Sequence, residues 1–529
     1  MLKIFAVGDV GKTSPFAERR DRMVSRCPNR CTCNWKFTLV NCSKRGLTDV
    51  PSNVPYQAQF LLLNGNHITT LGEPAIYQNL SRLQVLDLSH NRIKALEDAI
   101  FRYLSHLEVL DLSHNLVNAI ERDAFVGLFR LKCLNLSFNH LPHLHHGFFS
   151  PLVLLTELVL TNARASFVPG AFLNLTNLRR LDFRHNRLLE FPKFLYDNTI
   201  LFPKLVVLHL DGNNIETMRS FGLDSLEYLG MGSNRINMMH GYTLRRFKSL
   251  KTLNLYNNIL RHTDIRAFCS TTLKKLDLSL SRFILSSKMR EVFNCIPNLE
   301  ELLLINVHLD SLSHPFRNLT KLKKLNMQGM GLSDVALIKM LPDLRQLEWL
   351  SLTDNAIHKL RRGVFENFAG SLKVLSLSSN RITTLNITSL PEQLWKTLER
   401  IDLSDNPFTC DCHLAWFRGW VSTTNVTVSN WNSDPKQYQC SAPASLRKKS
   451  LKYLKHPTEE ECFEAPMDWC LLSVVLMSIA ASASSTIGSV LYRFRWYAKY
   501  WYFKYKVHCT YSNVYRVFTV SCQFSRPLS

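Results

Sequence analysis

Cysteine is the residue whose spacing first suggests chemistry. Four of the fourteen cysteines fall within sixteen residues, at Cys27, Cys31, Cys33 and Cys42, and four more at Cys410, Cys412, Cys440 and Cys462. A quartet of thiols can hold zinc or pair into disulfides. Zinc sites favour C-x2-C spacing with nearby histidines, whereas each group here contains a C-x-C pair. The groups therefore read as disulfide-stapled caps, with no metal and an oxidising compartment for residues 27–462. Cys269 and Cys295 could form one further bridge. Cys133 is expected to be a small buried hydrophobe.

Other reactive residue types do not assemble into a site. No H-E-x-x-H, G-x-S-x-G or glycine-rich fingerprint occurs in a fitting context, so neither an enzyme nor a cofactor is expected. Ala6–Thr13 loosely matches a phosphate-binding loop, but a cysteine cap at Cys27 leaves no room for a nucleotide-binding domain. His143, His145 and His146 cluster after one repeat and read as an exposed loop.

The elements around these residues are set by a repeat. Leu83-Gln-Val-Leu86-Asp-Leu88-Ser-His-Asn91 recurs as Leu107 to Asn115 and Leu131 to Asn139. Its Asn position runs through Asn66, Asn91, Asn115, Asn139, Ala163, Asn186, Asn213, Asn234, Asn258, Ser281, Val307, Met330, Asn355, Asn380 and Asn406, in steps of 21 to 27 residues. These are fifteen leucine-rich repeats. The central L-x-L predicts a short strand with leucines inward, stacked in parallel on a concave face. The Asn side chains should bond turn backbone otherwise left unpaired. Phenylalanines such as Phe125 and Phe172 should fill the convex side. Loss of Asn at Ala163 and at Ser281, Val307 and Met330 could bend the solenoid or mark a functional segment. The fold class is thus an α/β leucine-rich-repeat solenoid with disulfide caps.

Seven N-x-[ST] sequons, at Asn41, Asn79, Asn135, Asn174, Asn318, Asn386 and Asn425, agree with secretory passage. Asn135 falls on a strand, where a glycan would obstruct part of the concave face. Residues 469–492 carry no charge and exceed the ~20 needed to cross a bilayer as a helix. Arg493, Arg495, Lys499, Lys504 and Lys506 follow, which places the C-terminus in the cytosol. The expected order is an atypical N-terminal segment (1–26) without a clear signal peptide, an N-terminal cap (27–55), the repeats (56–406) and a C-terminal cap (407–465). A transmembrane helix (469–492) and a short basic cytosolic tail (493–529) complete it. The net charge of +22 favours anionic partners without identifying one.

The cap at Cys27–Cys42, the repeats, the run Asn406-Pro-Phe-Thr-Cys410-Asp-Cys412-His-Leu-Ala-Trp416-Phe and the single apolar segment together resemble a Toll-like receptor ectodomain with its anchor. The resemblance covers about residues 27–506. It implies a horseshoe, disulfides Cys27–Cys33, Cys31–Cys42, Cys410–Cys440 and Cys412–Cys462, and a type I membrane receptor at the plasma membrane or in endosomes. It also implies a microbial ligand, lateral or convex binding, and homo- or heterodimers with related receptors. Such receptors continue into a cytosolic TIR domain. The 37 residues after Tyr492 show no such pattern, so no TIR adaptor is expected and a truncated or decoy form is the expectation. The alternative is a cell-adhesion or co-receptor protein binding a protein partner.

Overall fold

The computed structural model describes residues 26–454 except 165, 167, 196–201, 219–222, 286–290 and 310–313. Beyond these it describes scattered positions between 473 and 499, and residues 507–514 and 517–524. The chain divides into two units, Met1–Leu454 and Lys455–Ser529.

The first unit is built on an eighteen-stranded sheet. Thr32–Cys33 runs antiparallel to Leu39–Asn41. From there every neighbour is parallel, through Phe60–Leu62, Val85–Asp87, Val109–Asp111 and onward to Arg400–Asp402 and Thr427–Val428. A strand precedes each of the fifteen ladder positions. Each is only three residues long because the middle residue alone points inward. Leu86, Leu110, Leu134 and Leu158 are essentially fully buried, while their strand neighbours are mostly half-exposed. Parity decides this, since successive strand side chains face opposite ways. On the opposite side, rings stack from repeat to repeat, as in Phe149–Phe172 (5.5 Å between centroids) and Phe172–Phe194 (4.4 Å).

Parity also corrects the reading of Cys133. It directly precedes the inward Leu134, so it faces out of the sheet, half-buried, with its Sγ 3.9 Å from Glu157 Oε2. Partial burial and the adjacent carboxylate push its thiol up to about 11, so it is a poor nucleophile at neutral pH.

Buried asparagines tie the repeats together. Asn91 donates through Nδ2 to the carbonyls of Leu63 and Leu88 (both 3.0 Å) and accepts from the Ile68 amide (3.1 Å). Asn115, Asn139, Asn234, Asn258, Asn380 and Asn406 repeat the pattern. Where Asn is absent the sheet does not break. The Ala163 carbonyl accepts from the Leu141 amide (2.9 Å), and the Ser281 hydroxyl donates to the Leu278 carbonyl. Strands Lys275–Asp277, Glu301–Leu303 and Lys324–Asn326 keep unshifted register through the irregular region.

In the structure Cys27 is bonded to Cys33, Cys31 to Cys42, Cys269 to Cys295 and Cys410 to Cys440. Cys269–Cys295 links adjacent repeats, and the Ser270 amide donates to the Cys295 carbonyl beside it. Cys462 lies outside the described residues.

In the second unit Val507–Val514 and Val517–Phe524 form an antiparallel hairpin within the segment read as a plain tail. Most of 469–492 lies outside the described residues. Among those described, no helix is long and apolar enough to cross a membrane.

Candidate functional site

The sheet presents an open face and two edges, and their electrostatics differ. Where the chain enters many of the strands, acidic and basic residues of neighbouring repeats pair with one another. Lys132 meets Glu108 at 2.8 Å, Lys251 meets Glu227 at 2.7 Å, and Glu300 sits between Lys274 and Lys323. On the open face Glu301 is shared by Lys275 (3.0 Å) and Lys324 (3.1 Å), and Arg180 meets Glu157 at 3.0 Å.

The densest polar cluster on that face spans the strands Arg180–Asp182, Val207–His209 and Tyr228–Gly230. Asp182 is 1% exposed and held by Arg184 Nη2 at 2.6 Å, with the Thr161 hydroxyl donating at 3.0 Å. Burial pushes the Asp182 carboxyl up, but the hydrogen bonds and charge of Arg184 outweigh that and hold it below the usual carboxylate range. Asp211 accepts from the Gly232 amide (2.8 Å) and lies 3.5 Å from His209 Nδ1. Its carboxylate folds over the next strand, into space free only because residue 230 is glycine. A Cβ there would meet Asp211 Oδ2 at 2.3 Å. His209 Nε2 is buried without a partner in the structure. The cluster is otherwise internally satisfied, and no nucleophile stands within it.

One stability prediction arises here. The native Asp182 pKa lies below its unfolded value of ~3.9, so its contribution is complete above that value and is lost as pH falls through the native pKa. Asp182→Asn should cost about 2 kcal/mol at pH 7, a figure moderated because Arg184 is 41% exposed. Melting followed at pH 6 and pH 3 should show the difference between the proteins shrinking at pH 3. A constant difference would refute the linkage.

Where the chain leaves each strand the picture changes. The residue before each ladder position has a left-handed φ in all fifteen repeats, from 72° at Gly65, 70° at Gly212 and 68° at Gly329 down to 49° at Asn162. Its amide donates to a carbonyl of the next repeat, as from His90 to Ser113, His114 to Ser137 and Asn162 to Arg184. This builds a straight column of side chains. His90, His114 and Phe138 stack along it at 4.2 Å. Burial and the neighbouring His90 push His114 below the usual histidine range. A second column follows the ladder positions, and many of its amides bond to the preceding repeat: Arg92 to Ile68, Arg235 to Ile215, Arg282 to Asn258 and Arg381 to Ile357. It carries Arg92, Arg164, Arg187, Arg235, Arg282 and Arg381. All six are exposed, and none has an acidic partner among the described residues.

These columns went unnoticed in the sequence. Their signal was the recurrence of Gly, Asn, Asp and Ser, residues that tolerate or stabilise left-handed backbone, just before the ladder. The histidine cluster does not converge. His143 bonds Ser166 (2.9 Å), His145 packs edge-on to Phe148, and His146 covers Gly170. No metal-holding group occurs among the described residues. Of the sequon residues, Asn79, Asn174, Asn318, Asn386 and Asn425 are exposed, while Asn41 and Asn135 are half-buried on strands. Asn135 Nδ2 donates to Asp111 Oδ2 at 3.1 Å.

Comparison with known proteins agrees with this architecture. A family described as Leucine rich repeat matches residues 81–141, 129–188 and 345–408, and one described as BspA type Leucine rich repeat region matches 215–334. Mouse Toll-like receptor 7 is 29% identical over 326 residues, covering 58% of this chain and 29% of the receptor. Human Toll-like receptor 5 is 32% identical over 125 residues, covering 20% and 14%. Zebrafish Leucine-rich repeat-containing protein 3 is 40% identical over 73 residues, covering 13% and 27%. The matched region thus spans under a third of each relative's length. Among solved structures, a Leptospira interrogans leucine-rich-repeat protein superposes with TM-score 0.52 at 24% identity, covering 74% of this chain and 94% of that one. Toll in the Drosophila Toll–Spatzle complex superposes with TM-score 0.53 at 18% identity, covering 78% and 62%. Those two structural matches speak to fold alone. The chain is a leucine-rich-repeat protein related to Toll-like receptors.

Proposed function

We propose that this chain is a receptor-like binding protein of the extracellular or lumenal space, which recognises its ligand along the strand-exit edge and performs no catalysis. The observation that carries the reading is the contrast in charge pairing. Charges on the open face and strand-entry edge mostly neutralise one another, whereas the exit-edge arginines have no acidic partner among the described residues. Such guanidinium groups keep their bidentate donors available to a partner. A glycan on Asn135 would further restrict the open face on the N-terminal side of the Asp182 cluster. In this reading residues 469–492 anchor the protein, the ligand is microbial, and a second copy or a related receptor is its partner in the membrane. These assignments lean on the relationship to Toll-like receptors. An adhesion or co-receptor role is the second reading, favoured by the relationship to Leucine-rich repeat-containing protein 3.

The test displays the full chain on cells and offers labelled lipopolysaccharide, a bacterial surface protein and a single-stranded RNA. Arg187→Glu with Arg235→Glu should weaken binding of whichever probe is held by about tenfold, since each exposed charge contact is worth ~0.2–1 kcal/mol and two of them are reversed. Tyr228→Ala on the open face and Asn135→Gln should leave binding within about twofold. Loss confined to Tyr228→Ala would overturn the lateral reading. Aggregation of expressing cells without probe binding would favour adhesion.

A further inference from the structure

We propose that the exit edge from Arg164 to Arg282 is a site for an anionic polysaccharide, with carboxylates or sulfates on the arginines and sugar hydroxyls on the polar residues between them. The inference rests on the lateral-binding reading above and adds the chemistry of the ligand.

The two columns supply a regular spacing. Stacked rings at 4.2 Å and strands ~4.8 Å apart fix one step per repeat. Arg164 and Arg187 are one step apart, while Arg187 to Arg235 and Arg235 to Arg282 are two steps each. The guanidinium groups therefore sit roughly 5, 10 and 10 Å apart at their roots. The other column positions between Arg164 and Arg282 are His185, Gly212, Asn214, Ser233, Asn257, Ile259 and Leu280, with Asn162 just before them. Asn214, Ser233 and Asn257 are the polar ones beside the arginines, all at least partly exposed, and Leu280 is an exposed apolar one. Asn257 Nδ2 donates to the Ser233 hydroxyl at 3.2 Å, which holds both along the column with capacity left over. No acidic residue occupies either column between Phe138 and Arg282. No sequon asparagine occupies either column in any repeat, so N-glycans would leave the edge clear.

Separated cations with amide and hydroxyl groups between them match a chain of ionised, hydroxyl-rich sugars. A single-stranded nucleic acid asks for something else, namely aromatic platforms on which successive bases stack. Between Asn162 and Arg282 the one ring in these columns is His185, and it lies over Gly212, where a Cβ would meet it at 2.2 Å. The stacked rings at His90, His114 and Phe138 precede this stretch.

The experiment measures binding of the purified full chain in detergent to heparin, to polygalacturonate and to a single-stranded 20-nucleotide RNA across a salt series. Heparin stands for a sulfated matrix source and polygalacturonate for a carboxylate-only, capsule-like source. The flank variant combines Arg164→Ser, Arg187→Ser, Arg235→Ser and Arg282→Ser. The control combines Arg122→Ser, Arg130→Ser, Arg317→Ser and Arg345→Ser, which removes the same charge away from both columns. The flank variant should bind at least one polysaccharide about thirtyfold more weakly, with the log–log salt slope reduced by about three. The control should change affinity less than threefold. Both variants change exposed side chains, and unchanged melting verifies that they fold. Equal losses in flank and control variants would overturn this site and the lateral reading together. Flank-dependent RNA binding without polysaccharide binding would overturn the ligand class and leave the lateral reading standing. Failure of all three probes would overturn the ligand class.

Discussion

Asn213→Ala should destabilise the first unit by about 4 kcal/mol, one of the largest single-residue effects in the protein. Asn213 is 4% exposed and serves five backbone groups from two repeats, the Asp211 carbonyl most distantly at 3.5 Å. Its Oδ1 accepts from the amides of Asn186 (2.9 Å) and Leu188 (3.1 Å), and its Nδ2 donates to the carbonyls of Phe183 (3.0 Å) and Leu210 (2.9 Å). The Leu210 carbonyl keeps a second donor in Asn234, so truncation orphans two amides and one carbonyl. Each buried polar group left unsatisfied costs ~1–3 kcal/mol, and partial hydration lowers the total. Asn213→Asp retains the acceptor but sets a buried carboxylate oxygen against the Phe183 and Leu210 carbonyls, so at neutral pH it should cost at least as much. Because repeats interact only with neighbours, the loss should be local. Hydrogen exchange should show amides between residues 160 and 234 losing protection while those beyond 350 keep it. A change below about 1 kcal/mol, or uniform loss of protection along the chain, would refute this account of the ladder.

Gly127→Ala should cost about 3–4 kcal/mol, from two sources that can be separated. Residue 127 has φ of 99°, a left-handed conformation costing an L residue ~1–2 kcal/mol. A Cβ would also lie 2.5 Å from Arg102 Cα and 2.7 Å from its carbonyl oxygen. Backbone of the preceding repeat cannot rotate aside as a side chain can, so the convex faces of two repeats would have to part. Gly147 is the control. It shares the positive φ, at 74°, but a Cβ there would meet only Ser150 Oγ at an ordinary 3.6 Å. Gly147→Ala should therefore cost about 1 kcal/mol. Urea midpoints of the two variants measure the difference directly. Equal midpoints would mean that backbone conformation, and not the approach of Arg102, sets the cost.

The solenoid was legible because its demands fall on the backbone itself. Leu86 or Leu134 must be large and apolar to fill the core, and Asn91 must carry both a donor and an acceptor. Few residues meet either demand, so the pattern survives in the letters. Cys133 was misplaced although the information was present: it abuts Leu134, and adjacent strand residues face opposite sides. The pairing of Glu301 with Lys275 and Lys324 could not be read without register, since the partners are a whole repeat away and many alignments of Lys with Glu are available along the chain. The exit-edge columns were hidden for a different reason. Left-handed backbone is met by Gly, Asn, Asp, Ser or His alike, so fifteen equivalent positions share a conformation without sharing a residue. The Asp211 cluster, built on the absence of side chains at Gly230 and Gly232, leaves still less trace.

Most amides of the exit-edge columns are bonded to the backbone of adjacent repeats, and this separates what holds the surface from what it displays. A substitution at Arg235 or Arg282 alters the displayed group without touching the amide bond that fixes its position. A substitution at the neighbouring asparagine does the reverse. Selection can therefore rewrite the column that follows the ladder one letter at a time, each letter staying at a fixed address along the array. Two proteins with the same scaffold could diverge completely in what they recognise while their backbones stay superimposable.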